Sequence, residues 1–359
     1  MSTVAFEEKK PVVLIGTYTE PNQSTSEGVY VYRLDLSSGK LSYESVVKDM
    51  PNVSFMAKHP QSGLIYAVNE IDEFEGKVGG GVSVLSRDYN VLQKQFSGGE
   101  HPCYISIDKT GRFALVANYT SGMVAMLPIG NDGRLLPASD IVQHAGSSIH
   151  PERQMSPHPH CIVPDPANRF AIAVDLGLDR LIIYRMDLEA GKLQKHSEVE
   201  LDAGSGPRHL IFDSSGQHAY LLNELNSTLL VFQYNPRKGM LTQLQNVPTL
   251  PEQFSGENYC SDLHLSPDDR HLYLSNRGHD SMVCFKVDPS SGKLSYQSHV
   301  ETKGRYPRIF ALDPSGRFII VAHQRSNNVV VLKIDPETGD LSHTGQQVEL
   351  SMPVHVLFV

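Results

Sequence analysis

The chain has little cysteine and no long apolar run, and each shortage excludes a class of protein. Its 359 residues include only four cysteines, widely spaced and without a C-x-x-C pair, so we expect reduced, mostly buried thiols and no zinc site. No apolar stretch approaches the roughly 20 residues of a membrane-spanning helix. The first segment, MSTVAFEEKKPVVLIGTY, mixes charges with a short apolar run, unlike a secretory signal. We therefore expect a cytoplasmic protein without membrane contact.

Basic residues are fewer than acidic ones. The chain has 31 Lys and Arg against 40 Asp and Glu, which gives a formal net charge of −9 at pH 7. A negative field opposes attraction to a phosphate backbone, so nucleic acid is not expected as a partner. An anionic small molecule would need a local cluster of arginines.

Internal repeats organise the chain. Segments beginning at His101, Gly206 and Tyr306 each contain an apolar run, an Asp/Ser-Gly turn, a second apolar run, a polar link and a third run. The pattern ends in a leucine in every unit, at Leu41, Leu92, Leu135, Leu193, Leu241, Leu294 and Leu341. A short run after each leucine is expected to supply a fourth strand. Four-stranded units at a period of roughly 40 to 50 residues are typical of a β-propeller.

The two ends of the chain are expected to share one blade. The first unit begins at PVVLIGTY, which matches the second strand of the other units, whereas the final MPVHVLFV matches the first strand. We therefore predict an all-β, seven-bladed β-propeller with four-stranded blades, closed by the C-terminal strand completing the N-terminal blade. Residues 1–10 are expected to form a tail and residues 11–359 a single propeller domain.

One mouth of the predicted ring collects residues that strands do not prefer. The first strand of a blade lines the channel and the second runs back antiparallel to it, so the start of one and the end of the other open on the same face. The side chains at these positions include His160, Arg208, Arg277, Arg308, Glu70, Glu224 and Tyr119. We expect His209 to face away from the channel and to be structural.

Asparagines also end several of the second strands. Asn69, Asn118, Asn223 and Asn276 occupy this position, where such residues commonly cap turns. We expect these four to be structural.

The segment HPERQMSPHPHC, residues 150 to 161, follows the third unit in the longest connection of the chain. We expect it to cover the same mouth as a wall or lid and to bring Arg153 and His158 to it. His158 and His160 are two residues apart on an extended segment, so a metal ion is compatible with the spacing. Nearby arginines disfavour a cation, and we expect neither metal nor cofactor.

Several motifs indicate a particular propeller family. The chain has no tryptophan, which excludes the usual form of WD40 repeats. The segments PHPHC, GPRHLIF, LLNELNS and SNRGHDS make essentially the whole chain resemble the seven-bladed lactonase family. That family includes bacterial 6-phosphogluconolactonases of the propeller type and fungal carboxymuconate-cyclising enzymes. The resemblance implies that His160, Arg208, Glu224 and Arg277 are the catalytic residues.

The same resemblance implies hydrolysis of a small anionic sugar lactone, 6-phospho-D-glucono-1,5-lactone of the pentose phosphate pathway being the first candidate. We expect His160, with Glu224 as partner or alternate base, to activate water, since no G-x-S-x-G nucleophile elbow is present. Arg208 and Arg277 would bind anionic groups or the developing oxyanion.

Further side chains complete the predicted substrate site. Arg308 or Arg153 would hold the phosphate, because the guanidinium fork matches phosphate geometry. His158, Glu70 and Tyr119 are the remaining candidates for substrate contact.

Two other functions stay open. One is lactonisation of a carboxylated muconate, which requires the same acid–base groups and carboxylate clamps. The other is a non-catalytic propeller that binds a ligand or protein, which would present exposed aromatic and apolar anchors. Whatever the reaction, we expect a monomer or weak homodimer.

Overall fold

Strands make up all the regular structure of residues 10–359, the part of the chain that the computed structural model describes. No helix in this range has the length and apolar character to cross a bilayer. The predicted tail, residues 1–10, lies outside the described residues except for Lys10, and its boundary with the propeller stays a prediction.

The strands follow one another with short connections. In chain order they are β1 (Val12–Thr17), β2 (Gly28–Leu34), β3 (Leu41–Lys48), β4 (Val53–Lys58), β5 (Ile65–Asn69), β6 (Glu73–Phe74), β7 (Lys77–Val78), β8 (Gly81–Leu85), β9 (Val91–Phe96), β10 (Pro102–Ile107), β11 (Phe113–Asn118), β12 (Met123–Pro128), β13 (Asp140–Gln143), β14 (Pro159–Pro164), β15 (Phe170–Asp175), β16 (Arg180–Asp187), β17 (Lys192–Glu200), β18 (Pro207–Phe212), β19 (His218–Asn223), β20 (Thr228–Asn235), β21 (Met240–Pro248), β22 (Tyr259–Leu265), β23 (His271–Arg277), β24 (Ser281–Val287), β25 (Leu294–Glu301), β26 (Pro307–Leu312), β27 (Phe318–His323), β28 (Asn328–Ile334), β29 (Leu341–Glu349) and β30 (Pro353–Phe358).

These strands form seven four-stranded sheets arranged as the blades of a ring, as predicted. Blade 1 contains β1, β2, β3 and β30, and blade 2 contains β4, β5, β8 and β9 around the small β6–β7 hairpin. Each of blades 3 to 7 uses four consecutive strands, from β10 to β29. The pairing of β30 with β1 confirms that the C-terminal strand completes the N-terminal blade. Because β30 contacts both β26 and β4, the ring is closed.

The hydrophobic core lies between the blades. Among residues 10–359, buried apolar side chains form seven clusters, one at each junction of neighbouring blades. The second strands β11, β15 and β27 are buried along their whole length, because a blade covers each of their faces. The outermost strand β29 is mostly exposed, as its alternating polar sequence requires.

The recurrent Asp-x-x-Gly turns join the first and second strands of several blades. In blade 7, Oδ1 of Asp313 accepts the backbone N–H groups of Arg317 and Phe318 at 2.7 and 2.6 Å. Gly316 in this turn has φ of 68°, a conformation that glycine adopts without steric cost. The turn motif therefore fixes each hairpin, and with it the start of the innermost strand.

A β-bulge interrupts the start of every innermost strand. The extra residue is Ser54, Cys103, His160, Arg208, Arg308 or Val354 in six blades and one of the pair Ser261–Asp262 in blade 6. Such a bulge places two residues opposite one and re-aims their side chains. The fold thus directs a set of non-strand residues toward one mouth of the channel.

Blade 3 departs from the predicted strand pattern. The run after Leu135 does not open the fourth strand; Leu135 forms an isolated bridge to Ile129, and β13 begins only at Asp140. Pro137 lies between them and has no N–H to donate to a ladder. The strand therefore starts after the proline.

Candidate active site

A buried carboxylate surrounded by three arginines forms the centre of the mouth. Oε2 of Glu224 lies 2.9 Å from Nη2 of Arg277 and 3.0 Å from Nε of Arg208, and Oε1 accepts a hydrogen bond of 2.7 Å from Nη2 of Arg153. The Arg208 contact has the distance of a salt bridge without the alignment of a hydrogen bond. Glu224 follows β19, Arg277 ends β23, Arg208 lies in the bulge of β18, and Arg153 comes from the connection before β14.

This cluster holds excess positive charge out of water. Burial opposes ionisation of Glu224, but the charges of Arg277, Arg153 and Arg208 outweigh it and lower the pKa of the carboxyl to about 2. Burial and the neighbouring charge of Arg277 lower the pKa of Arg208 to about 10, so it stays protonated at neutral pH. Three guanidinium groups surround one carboxylate, which balances one of their charges, and Asp262 on the far side of His209 offsets only part of the rest. The mouth therefore attracts an anion although the whole chain is acidic.

His160 occupies the bulge of β14 beside this cluster. Its side chain is buried, with Nδ1 3.7 Å from Sγ of Cys103 and the ring edge-on to Tyr119 at 5.4 Å between centroids. Nε2 has no hydrogen-bond partner within residues 10–359, yet it is not fully enclosed. The ring therefore offers one free nitrogen to a ligand or water in the mouth.

His160 is held neutral by its surroundings. Burial and the charge of Arg208, with smaller contributions from His209 and Arg308, hold the pKa of His160 well below its usual range. The expected pairing of His160 with Glu224 is not formed, because the oxygens of Glu224 are taken up by the arginines. A neutral imidazole next to a cationic cluster accepts a proton more readily when a negative charge develops nearby.

The connection before β14 lies against the mouth, as expected of a wall. His150 caps a turn, its Nδ1 accepting the backbone N–H of Arg153 at 3.1 Å, and Gln154 is buried with Nε2 donating to the carbonyl of Leu176 at 2.8 Å. This anchoring aims Arg153 at Glu224. Among the three histidines of the segment, His150 is thus an ordinary loop residue.

Tyr119 and His158 form a stacked pair at the edge of the site. Their ring centroids are 4.5 Å apart with an interplanar angle of 11°, and Nδ1 of His158 donates to the carbonyl oxygen of Tyr119 at 2.9 Å. The hydroxyl of Tyr119 accepts a hydrogen bond of 3.2 Å from Arg153. The pair therefore supports both Arg153 and the face of His160.

Arg308 and Glu70 form a second, weaker ion pair in the mouth. Nη2 of Arg308 lies 3.5 Å from Oε2 of Glu70, and its guanidinium carbon lies 5.2 Å from the ring centre of Tyr18. Burial raises the pKa of Tyr18, so its hydroxyl is protonated at neutral pH. Since the charge of Arg308 is matched by Glu70, this pair adds little to the net charge of the site.

The prediction that His209 faces away from the channel is wrong. Its ring centroid lies 5.5 Å from that of His160 and 5.3 Å from that of Tyr104, which belongs to a different blade. Nδ1 of His209 pairs with Oδ1 of Asp262 at 2.9 Å, while Nη1 of Arg208 lies 3.0 Å from Nε2 and 3.4 Å from Nδ1. These two similar distances place the guanidinium over the imidazole face. Because the bulge breaks the strand alternation, Arg208 and His209 both point inward.

The asparagines at the ends of the second strands are structural, as expected. The Nδ2 atoms of Asn69, Asn118 and Asn276 donate to the carbonyls of Pro51, Ser97 and Thr249, at 2.7, 3.3 and 2.9 Å. That of Asn223 donates to the hydroxyl of Thr228 at 2.9 Å. Most of these bonds tie the strand end to a preceding loop rather than capping its own turn.

Within residues 10–359 no three His, Cys, Asp or Glu side chains are grouped so that they could hold a metal ion. His158 directs Nδ1 to a backbone carbonyl, and His160 is bordered by a thiol and by arginines. These surroundings suit an anion better than a cation.

All nine side chains predicted for the site lie around this mouth, and the structure adds aromatic residues that the sequence did not single out. Tyr259 lies 5.8 Å from the guanidinium carbon of Arg153, and Tyr306 lies 5.0 Å from that of Arg277. Arg325, on the turn after β27, lies 3.8 Å from the centre of the Tyr306 ring. The only signal in the sequence was the position of both tyrosines at the start of an innermost strand.

The protein-family comparison is decisive for the fold family. Residues 12–358 match the model of the lactonase family described as a 7-bladed beta-propeller. The chain belongs to this family. A 6-phosphogluconolactonase from Bacillus subtilis is 33% identical over 85% of this chain and 85% of its own length. A solved periplasmic gluconolactonase from Pseudomonas aeruginosa is 36% identical, with a TM-score of 0.91 over 98% of this chain and 99% of that one.

A further relative named 6-phosphogluconolactonase, from Formosa agariphila, is 33% identical over 84% of this chain and 86% of its own length. The resemblance read from the sequence motifs is thus confirmed, and so is the prediction of a lactonase-type hydrolase at the level of the family. The names of the relatives differ in whether the lactone carries a phosphate.

Proposed function

We propose that this protein hydrolyses a sugar lactone, 6-phospho-D-glucono-1,5-lactone, to 6-phosphogluconate at the mouth of the propeller. The observation that carries the proposal is the juxtaposition of a neutral, buried imidazole, His160, with a cluster of net positive charge around Glu224. Lactone opening requires a base for water and stabilisation of an oxyanion, and little else. Membership of the lactonase family and the names of the relatives support the same reaction.

The chemistry assigns one task to each group. Water attacks the lactone carbonyl carbon and gives a proton to Nε2 of His160, while the carbonyl oxygen becomes an oxyanion facing Arg277 and Arg153. When the tetrahedral intermediate collapses, the bond between carbonyl carbon and ring oxygen breaks, and His160 returns the proton to that oxygen. The products are a hydroxyl group and a carboxylic acid, which releases its remaining proton to solvent and becomes the carboxylate, so His160 ends the cycle neutral.

Glu224 is a poor candidate for the base. Its two oxygens already contact three arginines, whereas Nε2 of His160 has no hydrogen-bond partner within residues 10–359. Its role in the proposal is to hold Arg153, Arg208 and Arg277 in place. We therefore propose His160, rather than Glu224, as the base.

A covalent intermediate on cysteine is also disfavoured. Cys103 is the thiol beside His160, but burial raises its pKa well above the usual value, so the nucleophilic thiolate is scarce. Direct attack by water therefore fits the site better.

Location and assembly stay predictions. We propose a cytoplasmic protein that is a monomer or weak homodimer, while one similar structure is named as periplasmic. Cell fractionation and light scattering would test the two statements separately.

The proposed reaction is tested by offering the wild-type protein two substrates. 6-Phosphoglucono-1,5-lactone is generated from glucose 6-phosphate with its dehydrogenase at mildly acidic pH, where spontaneous opening is slow, and lactone loss is followed by nuclear magnetic resonance. A carboxymuconate is incubated in parallel and followed for cyclisation. We expect faster loss of the sugar lactone and no cyclisation. Cyclisation alone would replace hydrolysis by the lactonising alternative, and no change in either would leave a binding function.

A further inference from the structure

The two arginines expected to hold the phosphate are already engaged. Arg153 donates to Glu224 at 2.7 Å and to Tyr119 at 3.2 Å. Arg308 faces Glu70 at 3.5 Å, and its Nε is fully buried without a hydrogen-bond partner, so a ligand cannot reach that atom directly. A phosphate group carries close to two negative charges and is bound most strongly by a guanidinium group whose N–H donors are free.

A third arginine at the same mouth is not engaged in this way. The side chain of Arg325 is exposed and makes no hydrogen bond or salt bridge with any residue from 10 to 359. Its guanidinium carbon lies 3.8 Å from the ring centre of Tyr306, a stacking distance. Stacking on an aromatic face orients the guanidinium plane and leaves its N–H edges free for a planar or tetrahedral anion.

The ring of Tyr306 connects Arg325 to the catalytic cluster. The guanidinium carbon of Arg277 lies 5.0 Å from the centre of the same ring, and Nη2 of Arg277 lies 2.9 Å from Glu224. The series Glu224, Arg277, Tyr306, Arg325 therefore runs outward from the centre of the mouth to its rim. A phosphate on the carbon of a sugar lactone most distant from the carbonyl would lie in the same direction when the carbonyl faces Arg277.

The backbone holds this platform in a defined position. Tyr306 has φ of 66°, an uncommon conformation for a tyrosine, and its N–H donates to Oδ1 of Asp280 at 2.8 Å. Its carbonyl accepts the N–H of Gln324, and the N–H of Arg325 donates to the carbonyl of Arg305, both at 3.2 Å. Asp280 is the acidic group closest to the platform along these bonds. Its Oδ1 accepts two backbone N–H groups, from Gly278 and Tyr306, which compensate part of its charge.

We infer that Arg325, stacked on Tyr306, recognises the phosphate of a phosphorylated sugar lactone and makes the protein prefer it over the unphosphorylated lactone. This inference rests on the proposed lactonase function and assigns its substrate class. Arg325 contacts the substrate far from the reacting carbon, so it determines specificity and takes no part in proton transfer. Loss of Arg325 should therefore raise the KM for the phosphorylated substrate.

The test compares kcat/KM for 6-phosphoglucono-1,5-lactone and glucono-1,5-lactone in the wild type, Arg325→Gln and Arg305→Gln. Arg305 is exposed on the same rim and carries the same charge, but it is not stacked on Tyr306. It is therefore a matched control for the loss of one positive charge from the rim. We expect Arg325→Gln to lower the preference for the phosphorylated lactone about tenfold or more, through KM. We expect Arg305→Gln to keep that preference. Equal effects of the two variants, or no effect of Arg325→Gln, would overturn the inference.

A binding measurement separates this inference from the proposed reaction. Titration calorimetry with 6-phosphogluconate and gluconate needs no turnover, so it remains informative if neither lactone is hydrolysed and the proposed function fails. We expect wild-type protein to bind 6-phosphogluconate more tightly than gluconate and Arg325→Gln to lose about tenfold of that difference. Binding of neither acid, or the same difference in both proteins, would contradict a phosphate site at Arg325.

Discussion

Replacing Glu224 by glutamine removes the charge on which the three arginines converge. The substitution keeps the size of the side chain, so it tests electrostatics rather than packing. The side chains of Glu224, Arg208 and Arg277 are 3%, 1% and 5% exposed, so solvent does little to screen them. Arg153, at 31% exposure, contributes less.

Two lines of reasoning give the loss of folding free energy expected for Glu224→Gln. The pKa of Glu224 falls from its ordinary 4.5 to about 2 in the folded protein, and each unit corresponds to about 1.4 kcal/mol, so ionised Glu224 stabilises the fold by about 3 kcal/mol. Removing one partner of a buried ion pair costs about 3 to 5 kcal/mol. Because the pKa of Glu224 is lower in the folded state, this stabilisation is fully present above pH 4.5 and is lost as the pH falls toward 2.

The assay is urea unfolding followed by far-ultraviolet circular dichroism, since the chain has no tryptophan to report by fluorescence. At neutral pH, the unfolding free energy of E224Q should be about 3 kcal/mol lower than that of the wild type. This difference should become smaller when the measurement is repeated at decreasing pH, from about pH 5 to about pH 3. Glu189→Gln is the control, because Glu189 pairs with Arg112 on the surface with 88% of its side chain exposed. A neutral-pH gap no larger than that of the control, or a gap independent of pH, would refute the assigned electrostatics.

Three further predictions concern the reaction and the ring. The pKa of His160 lies well below its usual range, so the imidazole stays neutral as the pH is lowered. We therefore expect kcat/KM to stay level through about pH 6.5 and to fall only at lower pH. A midpoint of this fall near about pH 6.5 would contradict the burial of His160. Cys103→Ser should keep kcat/KM within a few fold, because the protonated thiol is not the nucleophile; loss of activity in the folded variant would favour a covalent route. Deleting residues 353–359 removes the innermost strand of blade 1 and should abolish cooperative unfolding; a folded monomer would show that closure is dispensable.

The repeat register explains how much of the site was predictable from the sequence. His160, Arg208 and Arg308 occupy the same position after the start of the innermost strand, and the repeats align this position without any structural knowledge. The pattern could not reveal the bulge at this position. Strict alternation therefore sent His209 to the wrong face, although the bulge turns it inward beside Arg208.

The sequence predicted the positions of the site residues better than it predicted which side chains contact one another. Glu224 meets Arg153 only because a long connection folds back over the mouth, and this depends on the buried anchor Gln154. Arg325 lies on an exposed turn, where neither burial nor periodicity distinguishes it from other surface arginines. Its importance depends on Tyr306, which the antiparallel pairing of β26 with β27 places beside it.

The central claim is that the residues of this mouth open a lactone, and a pair of histidine variants tests it most directly. The rate of 6-phosphoglucono-1,5-lactone opening is measured with His160→Ala and with His343→Ala, whose histidine is exposed on the outermost strand β29. Circular dichroism and thermal unfolding verify that both variants fold. We predict that His343→Ala opens the lactone at the wild-type rate and that His160→Ala is about a hundredfold slower or more. Equal rates for the two folded variants would contradict the account.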